Sequence, residues 1–120
     1  MPEMTNVRFV LAVLDLKKSM DYYTSVLGLA IDFEVPGWSF LSRESFRVML
    51  GECTDAMPPG ELGDHSYYGY ITVTDIATLY DEYQRRGAQF TQQLADKPWG
   101  MREFGVRTID GHRLMFGQEL

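Results

Sequence analysis

The sequence predicts an α+β fold made of two βαβββ modules. Residues 11–23 and 71–83 carry one signal twice, a Val-x-Asp step followed by Asp-x-Tyr, at a separation of 60 positions. Strand and helix patterns then follow each copy in the same order. Two copies are too few for a solenoid. The repeat therefore predicts one pseudo-symmetric domain with a groove where its halves meet, and such grooves are preferred ligand sites.

The first module is predicted over residues 6–52. An apolar, β-branched run predicts its first strand. Asp15 is a suitable N-cap for the helix that follows, and Gly28 stands where a helix C-terminal glycine is common. Turn residues then separate three short predicted strands. In order, the four strands of this module are predicted at Phe9–Val13, Ile31–Phe33, Trp38–Leu41 and Phe46–Leu50.

The second module is predicted over residues 66–118, after a Gly- and Pro-rich connector at 53–65. Asp75 is expected to cap its helix and Gly87 to end it. An Asp110-Gly111 turn precedes the last strand. Its four strands are predicted at Tyr68–Val73, Gln89–Gln93, Arg102–Thr108 and Leu114–Phe116.

Length and composition narrow the class of protein. The 120 residues suit a single domain with a real core. A net charge of −6 argues against nucleic acid as a partner, because phosphate binding needs clustered Lys and Arg. No apolar run reaches the ~20 residues of a membrane span. With no signal-peptide pattern at the N-terminus, we expect a cytoplasmic protein. The single cysteine, Cys53, can form neither an intrachain disulfide nor a cysteine-based zinc site.

Three stretches of the chain resemble one known superfamily. They are residues 13–29, 73–87 and 97–113, and the last contains Pro-Trp-Gly, Arg-Glu-Phe and Asp-Gly motifs. Over residues 6–118 the chain resembles the glyoxalase/bleomycin-resistance/extradiol-dioxygenase superfamily, also called vicinal oxygen chelate, and above all its bleomycin-resistance branch. This resemblance implies that the two modules form a cupped mixed sheet around a cavity. It also implies a homodimer, because chains of this branch commonly pair to form two clefts.

The resemblance also marks four positions where the enzymes of the superfamily hold a divalent metal with His or Glu. Here these positions carry Arg8, Met49, Tyr68 and Met115. None of these side chains suits Mg, Mn or Fe(II), which need carboxylate oxygen or imidazole nitrogen. We therefore expect a cavity without metal, cofactor or catalytic residue.

A metal site could be rebuilt only around the two histidines, His65 and His112. A site of two histidines and one carboxylate would need Glu52 or Glu103 beside them. It would also need a register slip near His65, which turns side chains to the other face of the sheet. His112 is expected in a solvated turn.

The candidate ligand-binding residues follow from strand alternation and from the resemblance. Alternation places Tyr68 and Tyr70 on one face of their strand. An Arg in a cavity is costly unless it is paired, so Arg8 is expected either to pair with a carboxylate such as Glu103 or to receive an anionic ligand. The predicted site residues are Arg8, Trp38, Arg47, Met49, Tyr68, Tyr70, Trp99, Phe104 and Met115.

Two functions of different class remain. The favoured one is a metal-free protein that sequesters a planar or amphipathic small molecule in an aromatic cleft, with antibiotic resistance as one physiological role. The alternative is a metal-dependent lyase, isomerase or dioxygenase of glyoxalase type that acts on a vicinal-oxygen substrate. The four metal-equivalent positions discriminate between them.

Overall fold

Each half of the chain folds into a four-stranded sheet with one helix. The computed structural model describes residues 1–62 and 67–120, so the predicted ligand His65 lies outside the described residues. Module one contains β1 (Phe9–Val13), α1 (Leu16–Ser25), β2 (Ala30–Val35), β3 (Trp38–Arg43) and β4 (Phe46–Glu52). Module two contains β5 (Tyr67–Thr72), α2 (Ile76–Arg85), β6 (Gln89–Asp96), β7 (Met101–Arg107) and β8 (Arg113–Glu119).

The two sheets have the same topology. Their strand orders are β1-β4-β3-β2 and β5-β8-β7-β6. In each module the first strand lies parallel to the last, and the other neighbours are antiparallel. The predicted α+β fold with two βαβββ modules is confirmed. In the described part of the chain, neither helix has the length and apolar character needed to cross a membrane.

The repeated aspartates begin the two helices in different ways. Asp15 has extended backbone angles, and its side chain accepts a hydrogen bond from the Lys18 amide at 3.1 Å, as expected of an N-cap. Asp75 instead has φ of 54° and makes no capping hydrogen bond. The Gln118 side chain accepts from the Ile76 amide in its place, at 2.8 Å. The predicted capping role of Asp75 is therefore wrong, because its left-handed backbone is not that of a capping residue.

One face of each sheet is buried. In β4 the side chains of Phe46, Val48 and Leu50 are buried, and the residues between them are more exposed except for Gly51. The same alternation occurs in β8 around Leu114 and Phe116. Each helix packs on the buried face of its own sheet. We call the opposite surfaces the open faces of sheet one and sheet two.

The buried faces of both modules contribute to one core. The rings of Phe46 and Phe116 meet edge to face across the seam, with centroids 6.3 Å apart. The Tyr83 hydroxyl donates to the Leu27 carbonyl at 3.0 Å, linking α2 to the end of α1. The modules are therefore joined by their buried faces, and the open faces turn away from the shared core.

A two-bond ion pair also crosses the seam. Arg43 of β3 donates from Nη1 and Nη2 to the two carboxylate oxygens of Glu82, at 2.7 and 3.0 Å. Both side chains are largely shielded from solvent. The hydrogen bond from Arg43 lowers the pKa of Glu82, although burial opposes this shift.

We predict that Glu82→Gln lowers the free energy of unfolding by about 1–3 kcal/mol at neutral pH, because the partly buried guanidinium loses its counter-charge. Glu82 titrates below its ordinary pKa of 4.5 in the folded chain. Its contribution is therefore full above that pKa and is lost as pH falls through the folded value. Urea unfolding at neutral and acidic pH measures both effects. Equal losses at the two pH values would contradict the ionic origin; Asp21→Asn, at an exposed pair with Lys17, is the control.

Candidate functional site

The open face of sheet one is aromatic. Register pairs Phe40 with Met49 and Trp38 with Gly51, so these residues share a face opposite the buried leucines and valines. Phe33 of β2 stacks on Phe40 with ring centroids 4.2 Å apart. The Trp38 ring lies over Gly51, where a Cβ atom would come within 2.7 Å of it. The glycine thus lets an indole lie flat on the sheet.

Arg8 lies at the edge of this face. Its guanidinium carbon is 5.5 Å from the centre of the Phe40 ring, and Nη1 is 4.0 Å from a carboxylate oxygen of Asp32. The predicted pairing with Glu103 is therefore wrong, because Glu103 lies on the other sheet. Nη1 of Arg8 is buried and makes no hydrogen bond to any described residue. Arg47 pairs in register with Ser42, two residues along β4 from Met49.

The open face of sheet two is built around a carboxylate. Glu103 of β7 is only 5% exposed, and its Oε2 accepts hydrogen bonds from the Tyr70 hydroxyl at 2.7 Å and from Trp99 Nε1 at 3.1 Å. Tyr70 pairs in register with Met115, which places Met115 on the same face. Burial and the Glu103 carboxylate raise the pKa of Tyr70 to about 12. Tyr70 therefore remains a neutral hydrogen-bond donor at physiological pH.

Glycine again makes room for an aromatic ring on this face. A Cβ atom at Gly117 would lie 1.8 Å from the Tyr70 hydroxyl oxygen. At Gly105 it would lie 2.8 Å from Met115 Sδ. Neither position can accept a side chain unless the site residue beside it moves. The two open faces therefore share one design, with aromatic side chains lying across glycines of the central strands.

Two predicted site residues point away from the open face of sheet two. A β-bulge between Tyr67 and Gly69 breaks the alternation of β5, so Tyr68 and Tyr70 do not share a face. The Tyr68 hydroxyl meets that of Tyr23 at 2.8 Å, and burial raises the pKa of Tyr68. Phe104 is fully buried and stacks on Phe116, with centroids 5.1 Å apart. Phe104 therefore lies in the core and the partly buried Tyr68 packs against it, so neither residue contributes to the open face of sheet two.

His112 is also buried, which corrects its expected place in a solvated turn. It is 8% exposed, and its ring meets the Tyr68 ring edge to face at 5.7 Å. Its Nδ1 is buried and has no hydrogen-bond partner among the described residues. Burial lowers the pKa of His112, whereas the nearby Asp110 carboxylate opposes this shift. Burial in turn raises the pKa of Asp110, which accepts from Ser19.

The donor chemistry does not fit the metal of the superfamily's enzymes. Arg8, Met49 and Met115 carry no hard-metal ligand on the open faces, and Tyr68 is a protonated phenol in the core. Within residues 1–62 and 67–120, no three His, Cys, Asp or Glu side chains form a metal-binding group.

A pocket of about 400 Å³ lies elsewhere, between the β3–β4 turn and the start of α2. Arg43, Glu82 and Asp75 are among its lining residues, and none of the predicted site residues is. Apart from Tyr68 and Phe104, the predicted site residues lie on or beside the two open faces. Large aromatic side chains of these faces, such as Trp38 and Tyr70, are exposed in the single chain.

Some residues of the open faces were not predicted, although the sequence contains signals for most of them. Phe33 and Phe40 complete the aromatic surface of sheet one. An alternating Trp38-x-Phe40 pattern marked Phe40, and Phe33 lay within the predicted second strand. Glycines within strands, such as Gly51 and Gly117, indicate close approach of another group. Asp32 had no local signal, because its contact with Arg8 depends on how β1 and β2 are placed in the sheet.

These features define a class of protein: paired βαβββ modules with an aromatic open face on each sheet. A family model described as "Glyoxalase/Bleomycin resistance protein/Dioxygenase superfamily" matches residues 6–116. The chain belongs to this superfamily. A search of curated proteins found no match to the sequence.

Solved structures share the fold at low sequence identity. TioX from Micromonospora sp. ML1 superposes with a TM-score of 0.80 at 24% identity, covering 98% of this chain and 100% of TioX. TnmS3, an antibiotic binding protein from Streptomyces sp. CB03234, superposes with a TM-score of 0.79 at 21% sequence identity, and the match covers 100% of this chain and 99% of TnmS3. The bleomycin-binding protein of Streptomyces verticillus, complexed with copper(II)-bleomycin, superposes with a TM-score of 0.75 at 22% sequence identity, and the match covers 97% of each chain.

We predict that two aromatic truncations lower the free energy of unfolding by very different amounts. Tyr68→Ala should lower the free energy of unfolding by about 3–5 kcal/mol, because it leaves a cavity at the module seam. Trp99→Ala should cost less than about 1 kcal/mol, since Trp99 is 64% exposed. Chemical denaturation followed by circular dichroism measures both. A smaller loss for Tyr68→Ala than for Trp99→Ala would contradict these placements.

We predict that His112 makes the fold sensitive to mild acid. Its folded pKa lies below the ordinary value of 6.5. As pH falls below 6.5, the unfolded chain takes up a proton that the folded chain resists, so stability decreases. His112→Gln should flatten this decrease between pH 7.5 and about 5.5. Asp110 acts with the opposite sign, because its pKa is raised from 3.8. An unchanged pH profile in the variant would exclude His112 as the cause.

Proposed function

We propose that this protein is a metal-free small-molecule-binding protein that sequesters a planar or amphipathic ligand. The observation that carries the proposal is the pair of aromatic open faces. Trp38 and Phe33 are exposed on sheet one, and Tyr70 and Trp99 are exposed on sheet two. Large apolar side chains grouped on a soluble surface mark sites of interaction. Phe33, Trp38 and Tyr70 stand on paired strands, which hold stacking surfaces rigid at little cost in entropy. Trp99 lies in the turn before β7 and is held by its hydrogen bond to Glu103.

The relatives support binding without catalysis. One solved neighbour is complexed with copper(II)-bleomycin, and another is described as an antibiotic binding protein. We propose antibiotic resistance or self-protection as one physiological role and metabolite binding as another. The glyoxalase-type alternative receives no support from the side chains at the four metal-equivalent positions. A cytoplasmic location remains a prediction from the sequence.

We further propose that the ligand site is a cleft between two chains. Small-molecule sites bury most of the ligand surface, and one flat sheet covers only one side of it. The two open faces of one chain cannot supply both walls, because the modules are joined through their buried faces. In a twofold homodimer, sheet one of each chain would face sheet two of its partner. Such a dimer contains two equivalent clefts.

Ligand binding is tested by titrating the wild-type protein with bleomycin and with planar fluorescent probes, using quenching of tryptophan fluorescence. We expect saturable binding at one ligand per chain. Elemental analysis follows incubation with Mn, Fe(II), Ni and Zn and then dialysis. One metal retained per chain would overturn the metal-free assignment. Absence of binding throughout the panel would overturn the binding function.

The shared cleft predicts complementation between two variants. Trp38→Ala and Trp99→Ala homodimers should each bind at least tenfold more weakly, because both clefts of each dimer lose one stacking wall. In a heterodimer of the two variants, one cleft carries both changes and the other carries neither. We therefore expect wild-type affinity at half the wild-type stoichiometry.

Differently tagged chains, mixed and purified as heterodimers, allow this measurement. Sites contained within single chains would each keep one damaged wall, so no wild-type site would appear. That result, or a monomer in analytical ultracentrifugation, would overturn the cleft between chains.

A further inference from the structure

We propose that Glu103, held between Tyr70 and Trp99, is the residue that selects cationic ligands. This inference rests on the proposed function and specifies its ligand class: a planar molecule that bears a protonated amine, amidine or guanidinium group. The cationic group would lie at the Glu103 carboxylate, between two aromatic side chains of the open face.

The first step is the cost of the buried carboxylate. Glu103 is 95% shielded from solvent, and its hydrogen bonds from Tyr70 and Trp99 come from neutral donors that share Oε2. Across residues 1–62 and 67–120, no cationic side chain forms an ion pair with Glu103. A buried charge is costly unless an opposite charge compensates it. A bound cation would supply the counter-charge that the single chain lacks.

The second step is the aromatic frame around the carboxylate. Tyr70 and Trp99 donate hydrogen bonds to Glu103 while their rings remain 45% and 64% exposed. Aromatic faces attract organic cations, and a carboxylate forms stronger hydrogen bonds with charged donors than with neutral ones. The two rings and the carboxylate therefore favour the same kind of ligand.

The third step is the charge distribution along the open face. The basic pair Arg107 and Arg113 lies at the far end of the β7–β8 hairpin, four residues along β7 from Glu103. This separation is about 13 Å along a strand. On sheet one, Arg8 lies at the edge of the open face beside the carboxylate of Asp32, and Arg47 pairs in register with Ser42. The Glu103 carboxylate is therefore separated from the arginine pair of its own open face, whereas the Asp32 carboxylate of sheet one already lies beside Arg8.

The alternative is a purely structural Glu103 that only fixes the positions of Tyr70 and Trp99. Glu103→Gln separates these roles, because its amide oxygen can still accept both hydrogen bonds while the charge is removed. The matched control is Glu34→Gln, which makes the same charge change at an exposed residue of β2. Its register partner Ser39 is buried, so Glu34 belongs to the face opposite the proposed site.

The experiment compares two probes of the same tricyclic shape, cationic proflavine and neutral acridone, by fluorescence titration. We expect wild type to bind proflavine at least tenfold more tightly than acridone. Glu103→Gln should weaken the binding of proflavine by about 10- to 100-fold and change the affinity for acridone by less than about twofold. Glu34→Gln should change neither affinity.

Each other outcome has a distinct meaning. Equal wild-type affinity for the two probes overturns cation selection without any variant, so a failure of Glu103→Gln to fold does not obscure the test. If Glu103→Gln weakens the binding of both probes equally, Glu103 has a positioning role, and cation selection is overturned as well. In both cases the binding function survives. If neither probe binds to the wild-type protein, the planar-ligand function itself is overturned.

Discussion

The contact between the two buried sheet faces is the constraint on which the rest of the structure depends. Each sheet has two faces, and the shared core takes one of them from each module. The edge contact of Phe46 with Phe116 and the ion pair of Arg43 with Glu82 hold the modules in this arrangement. The opposite faces are therefore left to carry exposed aromatics. The aromatic open faces are thus a consequence of how the core is assembled.

Exposed aromatics on a sheet need space beneath them, and strand glycines provide it. Gly51 lies under Trp38, and Gly117 lies under Tyr70. Glycine weakens a strand because it packs no side chain and loses more backbone entropy on folding. Both glycines lie on the last strand of their module, which is flanked by two other strands. The pairing on both sides offsets the intrinsic cost of glycine at those positions.

The sequence predicted the order of elements well because helix and strand periodicity are local properties. The 60-residue repeat located both modules, and the capping role of Asp15 is confirmed. The errors arose where one extra residue interrupted a local pattern, or where a residue distant in the sequence took over a local role. A single bulge moved Tyr68 into the core. At Asp75, a side chain 43 positions away, Gln118, satisfies the first helical amide.

The positions that carry metal ligands in related enzymes show how this scaffold changes chemistry without changing fold. A metal site needs several donors that converge on one point, whereas a stacking site needs side chains spread across a surface. Here Arg8 and Met49 belong to sheet one and Met115 belongs to sheet two, and none of the three offers a carboxylate oxygen or an imidazole nitrogen to a hard metal. The one shielded carboxylate of these faces, Glu103, is held by Tyr70 and Trp99. Specificity would then come from the charge at the edge of an aromatic surface, a property that substitution can alter without disturbing the core.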